Sequence, residues 1–148
     1  MCLAALGHRC TLVNNALLGG HCELADSAYV SGNAAVHQFC RMGRLSFLGG
    51  GSITTKDVPP FVMQQGVNSV VGINVVGMRR AGLAEEEINS LRRVYHIVFL
   101  EGLSLPNALA RVEQEVGHMD VVREFVAFIR GSQRGINRAR GKGSASPT

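Results

Sequence analysis

The sequence predicts a β-helix-plus-α protein: a left-handed parallel β-helix of hexapeptide repeats followed by a small C-terminal three-helix domain. Three observations predict it. From Leu6 the chain reads as eight unbroken hexads, each opening on an aliphatic residue or Met and carrying a small residue in fifth place. That register ends after Ile53, and the adjacent prolines Pro59 and Pro60 follow. From about residue 84 apolar residues recur at spacings of three and four, the period of an amphipathic helix. The expected domains are residues 1–57 for the β-helix, 58–83 for a connector, 84–132 for the helices and 133–148 for a basic, disordered tail.

The hexads open on Leu6, Leu12, Leu18, Leu24, Val30, Val36, Met42 and Leu48. Their fifth residues are Cys10, Ala16, Cys22, Ala28, Ala34, Cys40, Ser46 and Ser52. In a triangular coil each hexad forms one face. The aliphatic residue points inward onto its copies in the coils above and below, and only a small side chain fits near the corner. Glycine in second place (Gly7, Gly19, Gly43 and Gly49) suits a turn between faces. An ordinary antiparallel protein would instead alternate with period two.

Asp57-Val58-Pro59-Pro60 reads as a breaker, because two prolines remove donors from any ladder. Residues 61–83 read as an apolar connector punctuated by glycine. The first helix is expected over 84–101, with Ile88, Leu91, Val94, Tyr95, Val98 and Phe99 on one stripe. Glu85, Glu86 and Glu87 suit its dipole and Gly102 stops it. Ser104 caps a second helix with Pro106 in its first turn. A third starts near Asp120 and gathers Val122, Phe125, Val126 and Ile129 on one face.

Composition narrows the chemistry. The net charge of +4 resides in the tail, where Arg134, Arg138, Arg140 and Lys142 meet no acid. Such a tail is expected to be solvated, and no nucleic-acid partner is expected. Cys2, Cys10, Cys22 and Cys40 include no C-x-x-C pair, which argues against a zinc site; no metal and no cofactor are expected. No signal peptide and no apolar run long enough to span a membrane are visible, so the expected location is cytoplasmic, with reduced thiols.

Several segments carry a closer signal. Ala35-Val36-His37-Gln38-Phe39-Cys40 is similar to the "AVHQFC" segment of the UDP-N-acetylglucosamine O-acyltransferases. Asp57-Val58-Pro59-Pro60-Phe61-Val62 resembles their "DVPPYV", residues 72–80 their "GVNIEGLKR", and Ser132-Gln133-Arg134-Gly135 their "STRG". The resemblance covers residue 7 to about 138. It implies a homotrimer that moves a 3-hydroxyacyl chain from acyl carrier protein to the sugar 3-hydroxyl of UDP-N-acetylglucosamine, in lipid A synthesis. A histidine would be the general base, an adjacent Asp would orient it, and a backbone N–H would hold the oxyanion.

By the same resemblance, Gly20 supplies the oxyanion N–H and His21 lines the substrate cleft. His37 and Gln38 line the acyl-donor cleft. Gly50 occupies a position that limits acyl length and leaves room for a long chain. Asn74 and Arg80 hold the UDP part. The departures matter as much. The base position falls on Cys2 and its Asp on Leu3, so neither group is present, and the family's N-terminal coils are missing. Val76 and Ala81 replace a Glu and an Arg that serve the nucleotide. Three readings therefore stand: an acyltransferase subunit truncated ahead of its base, a degenerate paralogue acting as a trimeric binding or structural module, and an acetyl-CoA-dependent O-acetyltransferase. The last gives no reason for the "AVHQFC" and "DVPP" segments.

Overall fold

A computed structural model of the chain describes residues 3–140, and they form a left-handed parallel β-solenoid of about three turns followed by helices. Nine two-residue strands recur every six residues: β1 (Ala5–Leu6), β2 (Thr11–Leu12), β3 (Leu17–Leu18), β4 (Glu23–Leu24), β5 (Tyr29–Val30), β6 (Ala35–Val36), β7 (Arg41–Met42), β8 (Phe47–Leu48) and β9 (Ile53–Thr54). They stack as three sheets: A (β1-β4-β7), B (β2-β5-β8, extended below) and C (β3-β6-β9). Every pairing among these nine is parallel and joins residues 18 apart, so Leu12, Val30 and Leu48 form one column. Leu24, Val30, Val36, Met42 and Leu48 are buried, as are Cys22, Ala28, Ala34, Cys40, Ser46 and Ser52, so both arms of the hexad pattern point inward. The ring of the first coil is open at its outer side, with Leu6 51% and Leu12 42% exposed.

The corners correct the expectation about glycine. The left-handed backbone falls on the fourth residue of each hexad (Arg9, Asn15, His21, Ser27, Asn33, Phe39, Leu45 and Gly51), all with φ near +60°. Second-place glycines answer a different need, close approach. A Cβ on Gly19 would collide with the Gln38 backbone one coil on, and one on Gly43 with Pro60.

The solenoid also passes the expected breaker. Thr54 takes a ninth interior position and is fully buried. Met42 then bridges Val58, and β10 (Val62–Gln64) lies parallel to β8, in steps of 16 residues rather than 18. Pro59 and Pro60 occupy the corner between sheets A and B, where no ladder donor is required, and so shorten the coil instead of ending it. β11 (Ser69–Ile73) returns antiparallel to β10.

The helical part has four helices rather than three. The short α1 (Val75–Arg80) lies within the expected connector. α2 (Glu85–Tyr95) continues through a π-helical turn, His96–Leu100, where Ile97 is fully buried and the expected Val98 and Phe99 pack half-buried against the core. α3 (Leu105–Val116) is capped by Ser104, whose Oγ accepts from Asn107 N–H, and α4 (Asp120–Arg130) buries Val122, Phe125, Val126 and Ile129 as expected.

The tail is corrected too. Residues 132–140 fold back onto the solenoid: β12 (Arg138–Ala139) pairs with β11, and Asn137 Nδ2 donates to Thr54 Oγ1 at 2.9 Å and Gln64 Oε1 at 3.0 Å in the closing coil. Periodicity could not show this, because the segment is held by backbone pairing and polar contacts. The remainder of the expected tail, 141–148, lies outside the described residues.

Candidate active site

Corner residues stack in columns. At the corner between sheets C and A, Gly20-His21 stacks on Gln38-Phe39. Phe39 N–H donates to Gly20 O at 2.9 Å, and the His21 and Phe39 rings lie 4.9 Å apart, 7° from parallel. The left-handed φ at His21 and Phe39 points both rings away from the prism.

A cleft of about 310 Å³ on the sheet C side of this corner brings Gly20, His37 and Gln38 onto one wall, beside Ala35 and Ile53. Gly20 N–H donates to no group among the described residues, and a Cβ there would meet nothing within 4 Å. Gly20 thus lines the cleft with its amide unpaired among the described residues. His37 is exposed, and its backbone is fixed from both directions. Its N–H donates to Thr54 O at 2.9 Å, while its carbonyl accepts from Cys40 N at 3.2 Å and Cys22 Sγ at 3.1 Å.

His21 opens instead into a second cleft, of about 710 Å³, on the sheet A side, with Glu23, Arg41, Asp57 and Arg134. Asp57 is the group that sequence reasoning left without a role. It is 1% exposed, accepts from Arg41 N–H at 2.8 Å and Ser132 Oγ–H at 2.6 Å, and its own N–H donates to Gly135 O at 3.0 Å. The "DVPP" and "SQRG" segments thus meet in space. An acidic residue facing a Ser-Gln-Arg-Gly run was the available signal, but 75 residues separate the two. Arg134 donates to Thr55 O at 3.0 Å and lies close to Cys40. Burial pushes the Cys40 thiol up to about 11, against the opposing pull of the Arg134 guanidinium.

The other expected site residues lie on other corners. Gly50 sits between sheets B and C, exposed, with its carbonyl accepting from Gln65 Nε2 at 3.0 Å. Asn74 lies at the A–B corner and is buried. Its Nδ2 donates to Leu45 O at 3.0 Å, its Oδ1 accepts from Gly77 N at 3.0 Å, and its N–H donates to Phe61 O at 2.7 Å. Arg80, in the last turn of α1, is exposed and makes no ion pair among the described residues, whereas Arg79 is tied to Glu85 at 2.8 Å. Val76 stands 60% exposed on the same helix. The base position, Cys2, lies outside the described residues; Leu3 O accepts from His21 N–H. The one His–carboxylate contact among the described residues is His96 with Glu101 at 3.6 Å, in the helical domain. No group of three or more His, Cys, Asp or Glu side chains that could hold a metal occurs among them.

Comparison with known proteins gives a consistent picture. Residues 57–137 match the family model described as Udp N-acetylglucosamine O-acyltransferase; Domain 2. The acyl-[acyl-carrier-protein]–UDP-N-acetylglucosamine O-acyltransferase of Anaeromyxobacter sp. (strain Fw109-5) is 46% identical over 140 residues, which is 90% of this chain and 54% of that protein. The protein of the same name from Aliivibrio fischeri (strain MJ11) is 40% identical over 134 residues, 90% and 51% of the two chains. Among solved structures, the UDP-N-acetylglucosamine acyltransferase of Bacteroides fragilis superposes with a TM-score of 0.87 at 36% identity, covering 91% of this chain and 53% of that one. The Arabidopsis enzyme gives 0.85 at 34%, covering 91% and 51%. The chain thus spans about half the length of the relatives it matches.

Proposed function

Because the chain belongs to the UDP-N-acetylglucosamine O-acyltransferase family, we propose that it contributes the oxyanion and acyl-donor walls of an enzyme that acylates the 3-hydroxyl of UDP-N-acetylglucosamine from 3-hydroxyacyl carrier protein, in cytoplasmic lipid A synthesis. The observation that supports this reading is the shared wall of the smaller cleft, where Gly20, whose N–H has no partner among the described residues, lies with His37 and Gln38. The sugar oxygen attacks the thioester carbonyl as a base removes its proton. Gly20 N–H stabilises the resulting oxyanion, and collapse expels the carrier thiolate, which takes up the proton. Loss of one oxyanion donor typically costs ~10²–10³ in rate. Gly50 lies beside the acyl chain, His21 and Arg80 contact the acceptor, and Asn74 acts by fixing α1, which carries Arg80.

These residues occupy three different corners, so no single copy gathers them around one substrate. A homotrimer with sites between neighbouring prisms would bring them together. None of the five histidines is paired with a carboxylate at either cleft, and the base position is Cys2. The 148 residues alone are therefore expected to bind substrate but turn it over poorly, since a general base contributes typically ~10²–10⁴-fold. Together with Val76 and Ala81, that same feature supports the second reading, a non-catalytic trimeric module. The deciding experiment fuses the base-bearing portion of a full-length relative ahead of Leu3 and assays acylation of UDP-N-acetylglucosamine. Turnover restored by the fusion and lost again on Gly20→Pro, which removes the N–H, supports the enzyme. A fusion that trimerises and stays inert supports the module, and turnover within about tenfold of the relative's by the unfused chain would show that the base has been misplaced.

A further inference from the structure

At the corner between sheets C and A the backbone stitches each coil to the one before. His21 N–H donates to Leu3 O, and Phe39 N–H donates to Gly20 O at 2.9 Å. The stitching stops one level later. Thr54 still pairs with Val36, but Val58 already bridges Met42, so residues 55–57 span the corner that residues 37–41 span one coil earlier. No residue of this shortened corner has a left-handed φ. Asp57 N–H turns away to Gly135 O at 3.0 Å, and Gln38 O accepts from no group among the described residues. The edge of the wall that carries His37 and Gln38 is thus left without the corner bond that its predecessors have.

The returning C-terminal segment holds the shortened corner instead. Asn137 Nδ2 donates to Thr54 Oγ1 at 2.9 Å, Arg134 Nε and Nη2 both donate to Thr55 O at 3.0 Å, and Ser132 Oγ–H donates to Asp57 Oδ2 at 2.6 Å. These fastenings lead to different places. The Ser132 bond passes through Asp57 to the Arg41 N–H on sheet A, away from the donor wall. The Arg134 guanidinium also reaches the preceding coil, where it lies beside the Cys40 thiol. Cys40 N–H donates to His37 O at 3.2 Å, and His37 N–H donates to Thr54 O at 2.9 Å. One side chain therefore closes a loop of contacts that runs from Thr55 through Thr54, His37 and Cys40 back to itself. A planar fork with several fixed donors suits such a bridge, and a single ammonium does not. We propose that Arg134 is a positioning residue for acyl transfer: it clamps the shortened corner onto the coil before it and so fixes His37 and Gln38 relative to the Gly20 amide. The proposal rests on the reading that these residues line the acyl-donor cleft. Arg134 acts through the backbone of residues 54–55 and touches no substrate.

Two measurements test this. In the 148-residue chain, exchange of the His37 amide hydrogen is followed by nuclear magnetic resonance in the wild type, Arg134→Ala, Arg134→Lys and Ser132→Ala. Both Arg134 variants are expected to speed it about tenfold, the factor that loss of a charge-assisted hydrogen bond produces. Ser132→Ala loosens the same segment at Asp57 and is expected to leave His37 exchange as it is. In the fusion with the base-bearing portion of a relative, Arg134→Ala is expected to lower kcat/KM for 3-hydroxyacyl carrier protein about 10- to 100-fold. The KM for UDP-N-acetylglucosamine should not move, and added methylguanidinium should restore the donor-side loss. If Arg134→Ala fails to fold, Arg134→Lys carries both measurements. Wild-type His37 exchange together with wild-type donor kinetics in the Arg134 variants overturns the clamp. A loss shared equally by donor and acceptor, or matched by Ser132→Ala, overturns it in favour of a purely structural role. A rise in acceptor KM alone overturns it in favour of a direct substrate contact. An inert wild-type fusion overturns the acyltransferase reading itself, and the donor-side role with it.

Discussion

A carboxamide bonded at both ends, as Asn74 is to Leu45 and Gly77, is part of the scaffold before it can be part of a ligand site. Asn74→Ala would orphan a buried carbonyl and uncap α1, at a cost of about 1–3 kcal/mol. The expected outcome is a clearly lower melting temperature without any nucleotide present; an unchanged one would show that Asn74 serves only the ligand. Cys40 gives a second expectation at this scale. Burial raises its thiol to about 11 in the folded chain, against about 8.5 when unfolded. Its contribution is therefore fully present below the unfolded value and is lost as pH rises through about 11. Chemical denaturation midpoints are expected to fall over that alkaline window, and alkylation at neutral pH, mapped by mass spectrometry, to spare Cys40 while the half-buried Cys10 reacts. Gly20, His37 and Gln38 lie in two short segments that the six-residue repeat stacks one coil apart, so their proximity is legible from the register. The role of Asp57 is not, because its meaning lies in Ser132 and Gly135, which only the folded chain brings to it.

Among elements, β7 and the corner that follows it are the seat of the helical part. Arg41 donates to Phe128 O at 2.9 Å and stacks on the Phe128 ring, while Arg44 makes a bidentate pair with Glu124 and covers Phe61. The returning C-terminal segment is fastened from the same side, through Asp57 and Ser132. Ser132→Ala would leave a buried carboxylate oxygen short of its donor, so a loss of about 1–3 kcal/mol is expected by equilibrium unfolding. Hydrogen exchange should quicken selectively in β11 and β12, whose pairing the segment maintains; a variant with wild-type stability and protection would sink the idea. The nine solenoid strands were legible because one six-residue rule repeats and each coil obeys it. The continuation through Pro59-Pro60 was not, since proline is forbidden in a ladder but permitted at a corner, and the sequence does not mark which of the two it occupies. The π-helical turn after Tyr95 was hidden for a related reason: apolar spacing of three and four is satisfied by Ile97 and by Val98 alike, and both pack on the core.

For the molecule as a whole, the three faces differ in a way that bears on assembly. Sheet A turns Glu23 and Arg41 outward and is partly covered by the chain's own residues 128–134. Sheet C shows Leu17 (65% exposed), Ala35 and Ile53. Sheet B shows Tyr29 stacked on Phe47 at 4.8 Å, with Met63 beyond. Two unlike apolar faces and one occupied face are what a closed ring requires, because in a cyclic trimer each copy offers one patch to one neighbour and a different patch to the other. A two-fold dimer would need only one self-complementary face and would leave the second bare. The expected outcome is therefore a trimer by light scattering at micromolar concentration, and charge placed on either face should dissolve it. Ile53→Glu spoils sheet C and Phe47→Glu spoils sheet B, so each variant alone is expected to be monomeric. Mixed, they retain one intact sheet B and one intact sheet C between them, which permits a single heterologous contact and no closure. The mixture should thus run as a heterodimer that does not grow. If instead one variant remains dimeric alone while the other does not, the contact is two-fold, the ring is wrong, and the residues spread over three corners could not share a site in the way proposed.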